Sequence, residues 1–178
     1  MSQNDQKELL IRFCREKGNC IVDDFTYDTC ASFLFYTSWF EELLFNFSNR
    51  QGGEKNEKIC KELSELVNLS EYDSYGQYFS NRYISGSRTT NEFRNLKLRR
   101  DDAHIVKRSL EQYKANGKRD WELLWSYLMI AYRFRNNMFH GSKGLVNLSS
   151  YIEQFKMINQ FLRQLIGDII DNNYTGYN

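Results

Sequence analysis

Apolar positions recur along this chain at three- and four-residue steps almost from end to end, which is the period of amphipathic helices. A first helix is expected over 5–17, with Leu9, Leu10, Phe13 and Cys14 on one side and Lys17-Gly18-Asn19 as its stop. Asp23 and Asp24 are placed to cap a second helix over 25–49. It carries Phe33, Leu34, Phe35, Tyr36, Trp39, Phe40, Leu43, Leu44, Phe45 and Phe47, is apolar on most sides, and is expected to be central. A shorter helix over 54–67 presents Ile59, Leu63, Leu66 and Val67. Residues 70–100 are less regular and contain Gly76 and Gly86; they read as a loop with one short helix near 72–83. Asp101 and Asp102 open a helix that Asn116-Gly117 stops, and Asp120 caps another over 121–140. The last helix is expected over 148–171, with Ser150 and Glu153 spaced for a capping box, and the tail over 171–178 is expected to fray.

About six helices with short loops and no alternating strand pattern make an all-α bundle. At 178 residues and 21.3 kDa, with 41% hydrophobic and 26% charged residues, the chain reads as one globular domain over 1–178. Proline is absent, so nothing enforces a break in the long helices. No apolar run is long enough to cross a membrane, and the polar start Met-Ser-Gln-Asn-Asp-Gln-Lys-Glu lacks a signal core, so a cytoplasmic protein is expected. Cys14, Cys20, Cys30 and Cys60 form no CxxC pair and read as packing residues of a reduced protein. The chain has no phosphate-cradling glycine loop, HExxH helix or GxSxG elbow, which disfavours dinucleotide enzymes, zinc proteases and serine hydrolases. Neither a metal nor another cofactor is expected.

The segment richest in chemistry is Tyr132-Arg133-Phe134-Arg135-Asn136-Asn137-Met138-Phe139-His140-Gly141-Ser142-Lys143, which holds one of only two histidines. At about 100° per residue, with Arg135 set at zero, Asn136 falls near 100° and His140 near 140°. Trp125, Leu128, Met129 and Tyr132 share that arc, while Leu124, Tyr127, Ile130, Ala131, Phe134 and Met138 occupy the opposite one. A helix apolar on both faces must be covered on both. The bundle covers one face; for the face bearing Arg135, Asn136 and His140, a second copy of the chain is the simplest cover, because a two-fold axis lays one patch against itself.

Arg135-Asn136-Asn137-Met138-Phe139-His140 matches the R-[polar]-xxx-H signature of HEPN domains, and the stretch through Gly141 resembles the form found in bacterial toxin and anti-phage HEPN proteins. The layout is also similar: a HEPN-like helical bundle with the motif on a long late helix, a closing C-terminal helix, and an aromatic-acidic second helix, Trp39-Phe40-Glu41-Glu42-Leu43. The resemblance implies a metal-independent endoribonuclease acting at a composite site in a homodimer, a toxin or defence effector with a possible neutralising antitoxin. His140 would be the general acid or base at the ribose 2′-OH or the leaving oxygen. Arg135 would hold the phosphate, and Asn136 would orient His140 or the phosphate. The products would be a 2′,3′-cyclic phosphate and a 5′-hydroxyl, which restricts the substrate to RNA. Glu41 or Glu42 is a candidate supporting acid, with a solvated stripe as the alternative. The alternative for the whole chain is a non-catalytic HEPN module that binds RNA or protein.

Charge is unevenly distributed. Net charge is +1, yet Arg82 to Arg119 holds 11 basic and four acidic residues, leaving −6 on the remainder. That asymmetry suits a phosphate backbone, with a solvated face as the alternative. Arg99, Arg100, Lys107 and Arg108, together with Lys143 beside the motif, are the candidate RNA contacts; Asn137 reads as solvated or phosphate-steering, and His104 as a surface residue. Tyr72, Tyr75, Tyr78, Phe79 and Tyr83 precede the basic stretch at spacings that read first as helix packing and second as a base-stacking platform.

Overall fold

The computed structural model describes residues 3–17, 22–43, 52–139 and 150–175. Over them the chain is predominantly helical, in agreement with the all-α expectation. The helices are α1 (Gln3–Lys17), α2 (Asp24–Leu43), α3 (Gly52–Leu66), α4 (Asp73–Tyr83), α5 (Asn91–Arg94), α6 (Arg100–Asn116), α7 (Trp121–Phe139) and α8 (Ile152–Asp171). A 3-10 turn, Leu69–Tyr72, leads into α4. The irregular region also contains an unexpected two-residue hairpin, β1 (Ile84–Ser85) with β2 (Arg88–Thr89), paired Ile84 to Thr89 and Ser85 to Arg88. Gly86 turns it at φ +59°, a conformation glycine adopts without steric cost.

Several helix ends form as their sequence signals dictate. The Asp23 carboxylate accepts from the Thr26 N–H at 2.7 Å, and Asp120 from the Leu123 N–H at 3.2 Å. Gly117 closes α6 in the left-handed region at φ +69°, its N–H donating to the Tyr113 carbonyl at 2.8 Å. The capping box expected at Ser150 and Glu153 does not define α8: its N-cap is Tyr151, with no side-chain cap, and Glu153 instead accepts from Lys156 at 2.6 Å.

The centre of the bundle is α7. Every residue from Leu123 to Ala131 is buried, a continuous run of more than two turns, so neighbours surround the helix. Those neighbours are α2, α3, α4 and α6, with α8 reaching α7 through its aromatic side chains. Tyr127 and Phe134, two turns apart on one face, each sit in an aromatic cluster. Tyr127 meets Phe161 at 5.3 Å and Phe79 at 5.6 Å between ring centroids. Phe134 meets Phe155 at 5.0 Å and Phe33 at 5.8 Å, both edge to face. Edge-to-face pairs contribute about 0.5–1.5 kcal/mol beyond the area they bury.

The second helix is not central. Thr26, Thr29, Phe33, Thr37 and Phe40 form its buried face, turned to α8, while Phe25 and Phe35 are 53% and 67% exposed. Its aromatic density conceals this one-sided pattern because the buried face is interleaved with threonines. Thr29 and Thr37 satisfy their hydroxyls on the carbonyls of Phe25 and Phe33, both at 2.7 Å. The tail is held further than expected: Tyr174 is buried and its hydroxyl donates to Glu62 of α3 at 2.7 Å.

Helices α4 and α6 approach closely at Gly76, where a Cβ would lie 2.5 Å from the Tyr113 ring. That ring cannot swing away freely, since its hydroxyl donates to the Asp73 carbonyl at 3.0 Å. Arg119 reinforces the same corner with two bonds to the Asp73 carboxylate, at 2.6 and 2.7 Å.

Two outcomes follow for this corner. Gly76→Ala lowers stability by about 1–2 kcal/mol in urea denaturation, because overpacking of about 1–3 kcal/mol outweighs the gain in helix propensity. The Arg119 hydrogen bonds hold the Asp73 carboxyl below its ordinary value of 3.8. A depressed carboxylate stabilises the fold above that ordinary value and loses its contribution as pH falls through the lowered one. Arg119→Ala is therefore less stable than wild type near neutral pH, and the gap between their urea midpoints narrows as pH drops below 3.8.

Candidate functional site

The described part of the motif, from Arg135, lies on the last turns of α7. Phe134, wedged between Phe33 and Phe155, fixes the helix rotation there. Arg135 is half-buried and lines a cavity of about 10 Å³ with Thr37, Phe40, Leu128, Tyr132 and Leu162, space for no more than a single water. Its Nη1 donates to the Asn136 Oδ1 at 3.0 Å. Two of the three residues singled out as catalytic are thus in contact, and Asn136 acts on Arg135 rather than standing apart from it. His140 and Lys143 lie outside the described residues, as do the side chains of Glu41 and Glu42. The α2 backbone does carry Glu41 directly after Phe40, whose ring lines the Arg135 cavity.

The opposite side of the same turns contains a feature that charge and motif reasoning missed. Arg133 donates from Nε to the Leu96 carbonyl at 3.2 Å and from Nη2 to the Lys97 carbonyl at 2.5 Å. Asn137, one turn on, is 5% exposed and donates from Nδ2 to the carbonyls of Asn95 and Leu96, each at 3.1 Å. The reading of Asn137 as solvated is therefore corrected: its amide anchors the loop between α5 and α6. Lys97, within that loop, has φ +52°, a left-handed conformation that costs a non-glycine residue about 1–2 kcal/mol. The only sequence signal was the i, i+4 spacing of Arg133 and Asn137, and their carbonyl partners have no sequence signature.

Part of the basic stretch is engaged within the chain. Arg108 is hydrogen-bonded to Glu122, with Nε 3.2 Å from Oε2, and Lys107 faces Glu111 at 3.6 Å. Lys118 pairs with Asp120 at 2.7 Å, and Lys114 donates to the Ile84 carbonyl at 2.8 Å. Lys107 and Arg108, expected as RNA contacts, are thus engaged with acids of their own chain. Lys97, Arg99 and Arg100 are exposed and make no ion pair among the described residues. Asp102 beside them is half-buried; burial pushes its carboxyl above the ordinary range, against the pull of the Arg99 cation. His104 is exposed, as expected.

Two further expectations change. Tyr72, Tyr75, Phe79 and Tyr83 are buried in the core, so packing prevails over base stacking; only Tyr78 of that group is half-buried. The Tyr72 hydroxyl is hydrogen-bonded to Asp168, and Tyr75 donates to Gln164 at 2.9 Å. Of the apolar arc of α7 assigned to a partner subunit, Trp125, Leu128 and Met129 are buried within the chain, while Tyr132, beside Arg135 and Asn136, is half-buried. The expectation of a homodimer therefore rests mainly on the HEPN resemblance, since most of that apolar arc is already covered.

Among the described residues, no group of three or more His, Cys, Asp or Glu side chains is placed to hold a metal ion, and no helix is long and apolar enough to cross a membrane. Cys60 is buried and Cys30 half-buried; burial raises both thiols, that of Cys30 to about 11, which keeps them protonated. Searches against protein-family models, curated proteins and solved structures find no match to this chain.

Proposed function

We propose that the chain is a metal-independent endoribonuclease of HEPN type, active as a homodimer and serving as a cytoplasmic toxin or anti-phage effector. The observation that carries this reading is the placement of Arg135. Its guanidinium is held by the neighbouring Asn136 amide on the most buried helix of the bundle, five positions before His140. A cation fixed by packing and a hydrogen bond is preorganised, and preorganised charge in a partly dry site is what stabilises a phosphorane-like transition state. In this reading Arg135 binds the scissile phosphate and His140 transfers the proton, leaving a 2′,3′-cyclic phosphate and a 5′-hydroxyl. The exposed cations Lys97, Arg99 and Arg100 add general affinity for RNA.

A second reading, a non-catalytic HEPN module that binds RNA or a partner protein such as an antitoxin, draws on the burial of Arg135 beside Phe40 and Leu162. Arginine in such a place often serves packing and hydrogen bonding rather than substrate.

Turnover separates the two. Purified chain incubated with labelled total RNA is expected to cleave it and to leave cyclic-phosphate ends. His140→Ala and Arg135→Ala are each expected to reduce cleavage by at least about 100-fold, with circular dichroism unchanged for His140→Ala. Cleavage is expected to persist in excess EDTA, and light scattering is expected to give twice the chain mass. RNA binding without turnover in the wild type selects the non-catalytic module.

A further inference from the structure

The loop between α5 and α6 has no regular structure of its own, yet four donor contacts from α7 hold it. Arg133 and Asn137 engage the carbonyls of Asn95, Leu96 and Lys97, so three consecutive peptide units are tied to the motif helix. Leu96 is buried beneath them. With its carbonyls turned toward α7, the loop carries Lys97 and Arg99, and α6 opens on Arg100; all three are exposed and without an ion pair among the described residues. Asp101 and Asp102 follow directly, and burial holds Asp102 partway out of solvent. Lys97 is held in the left-handed region, where glycine would be cheaper. Elsewhere in the basic stretch, Lys107, Arg108, Lys118 and Arg119 are matched by acids.

We infer that residues 95–100, the loop and the first residue of α6, are a backbone track for single-stranded RNA, fixed to the motif helix by Arg133 and Asn137 and gripping the strand through Lys97, Arg99 and Arg100. Arg133 and Asn137 are positioning residues: they touch the loop and not the strand. The choice of RNA rests on the ribonuclease reading; the geometry supplies the track. A fixed track lowers the ordering cost of binding, because its cations are held in place before the strand arrives.

The test measures anisotropy of a fluorescein-labelled, 2′-O-methylated 20-nucleotide strand, which cannot be cleaved, across a range of NaCl concentrations. Each phosphate contact on a single strand contributes about 0.7 to the slope of log K against log salt. The triple variant Lys97→Gln, Arg99→Gln, Arg100→Gln is expected to lose about 2 from that slope and to bind at least about tenfold more weakly at 100 mM salt. Lys107→Gln with Arg108→Gln is expected to leave the slope nearly unchanged. Asn137→Ala keeps every cation and is expected to weaken binding several-fold at an unchanged slope, a split that general destabilisation does not produce below the melting point. Lys97→Gly removes one cation and relieves the backbone, so melting holds or rises while affinity falls; this variant decides the matter if Asn137→Ala does not fold.

An unchanged slope in the triple variant overturns the track, as does an equal loss in the Lys107 and Arg108 pair. Binding of a polyglutamate peptide as tight as that of the strand overturns the assignment to nucleic acid. Strand binding that meets every expectation, without cleavage of unmodified RNA, leaves the track standing and removes only the ribonuclease reading.

Discussion

The constraint on which the rest of the structure depends is the burial of α7 on all sides between Leu123 and Ala131. A helix with no polar face cannot sit at a surface, so the other helices are arranged to enclose it. The two aromatic residues that organise the packing, Tyr127 and Phe134, are seven apart on this helix, and rings from α2, α4 and α8 converge on them. Arg135 follows Phe134 directly, so the packing that sets the rotation of the helix also sets the direction of the guanidinium. Core and candidate site are one piece of architecture, which is why a charged side chain is found beside Phe40 and Leu162 rather than in open solvent.

Electrostatics divides the molecule in a way that net charge conceals. Ion pairs such as Arg119 with Asp73 and Arg108 with Glu122 tie neighbouring elements together, and they engage four of the eleven basic residues of the stretch. Exposed pairs of this kind contribute little energy one at a time. Among the cations they leave outside any ion pair between described residues are Lys97, Arg99 and Arg100, exposed on the segment next to the motif helix. A surface of mixed pairs is nearly neutral to an approaching polyanion, whereas a short run of unmatched cations is not.

Much of the fold was legible in the sequence because helix periodicity and helix-end signals are local. Asp23, Asp120 and Gly117 mark the ends they were expected to mark, and most helix boundaries fall within a few residues of their expected places. What was not legible depends on tertiary choice. The second helix has enough aromatic residues to be central, yet the hydroxyls of Thr29 and Thr37, satisfied on their own helix, let one face bury while Phe25 and Phe35 face out. The tyrosines of α4 have the composition of a stacking platform and the geometry of a core, a distinction that lies in their partners Asp168 and Gln164, about ninety residues away. In the candidate site, Arg135 and Asn136 were found by motif. Arg133 and Asn137 were missed because their partners are backbone carbonyls, which every residue possesses and no motif encodes.

The aromatic clusters join distant parts of the chain: Phe33 packs against Phe155, and Tyr72 against Phe161. During synthesis the early rings therefore exist for some time without their mates. Contacts of such separation are slow to form, and unburied aromatics promote association between nascent chains. Completion of the core waits on α8, so a chain interrupted before that helix becomes a client for chaperones and proteases rather than a smaller version of the same protein.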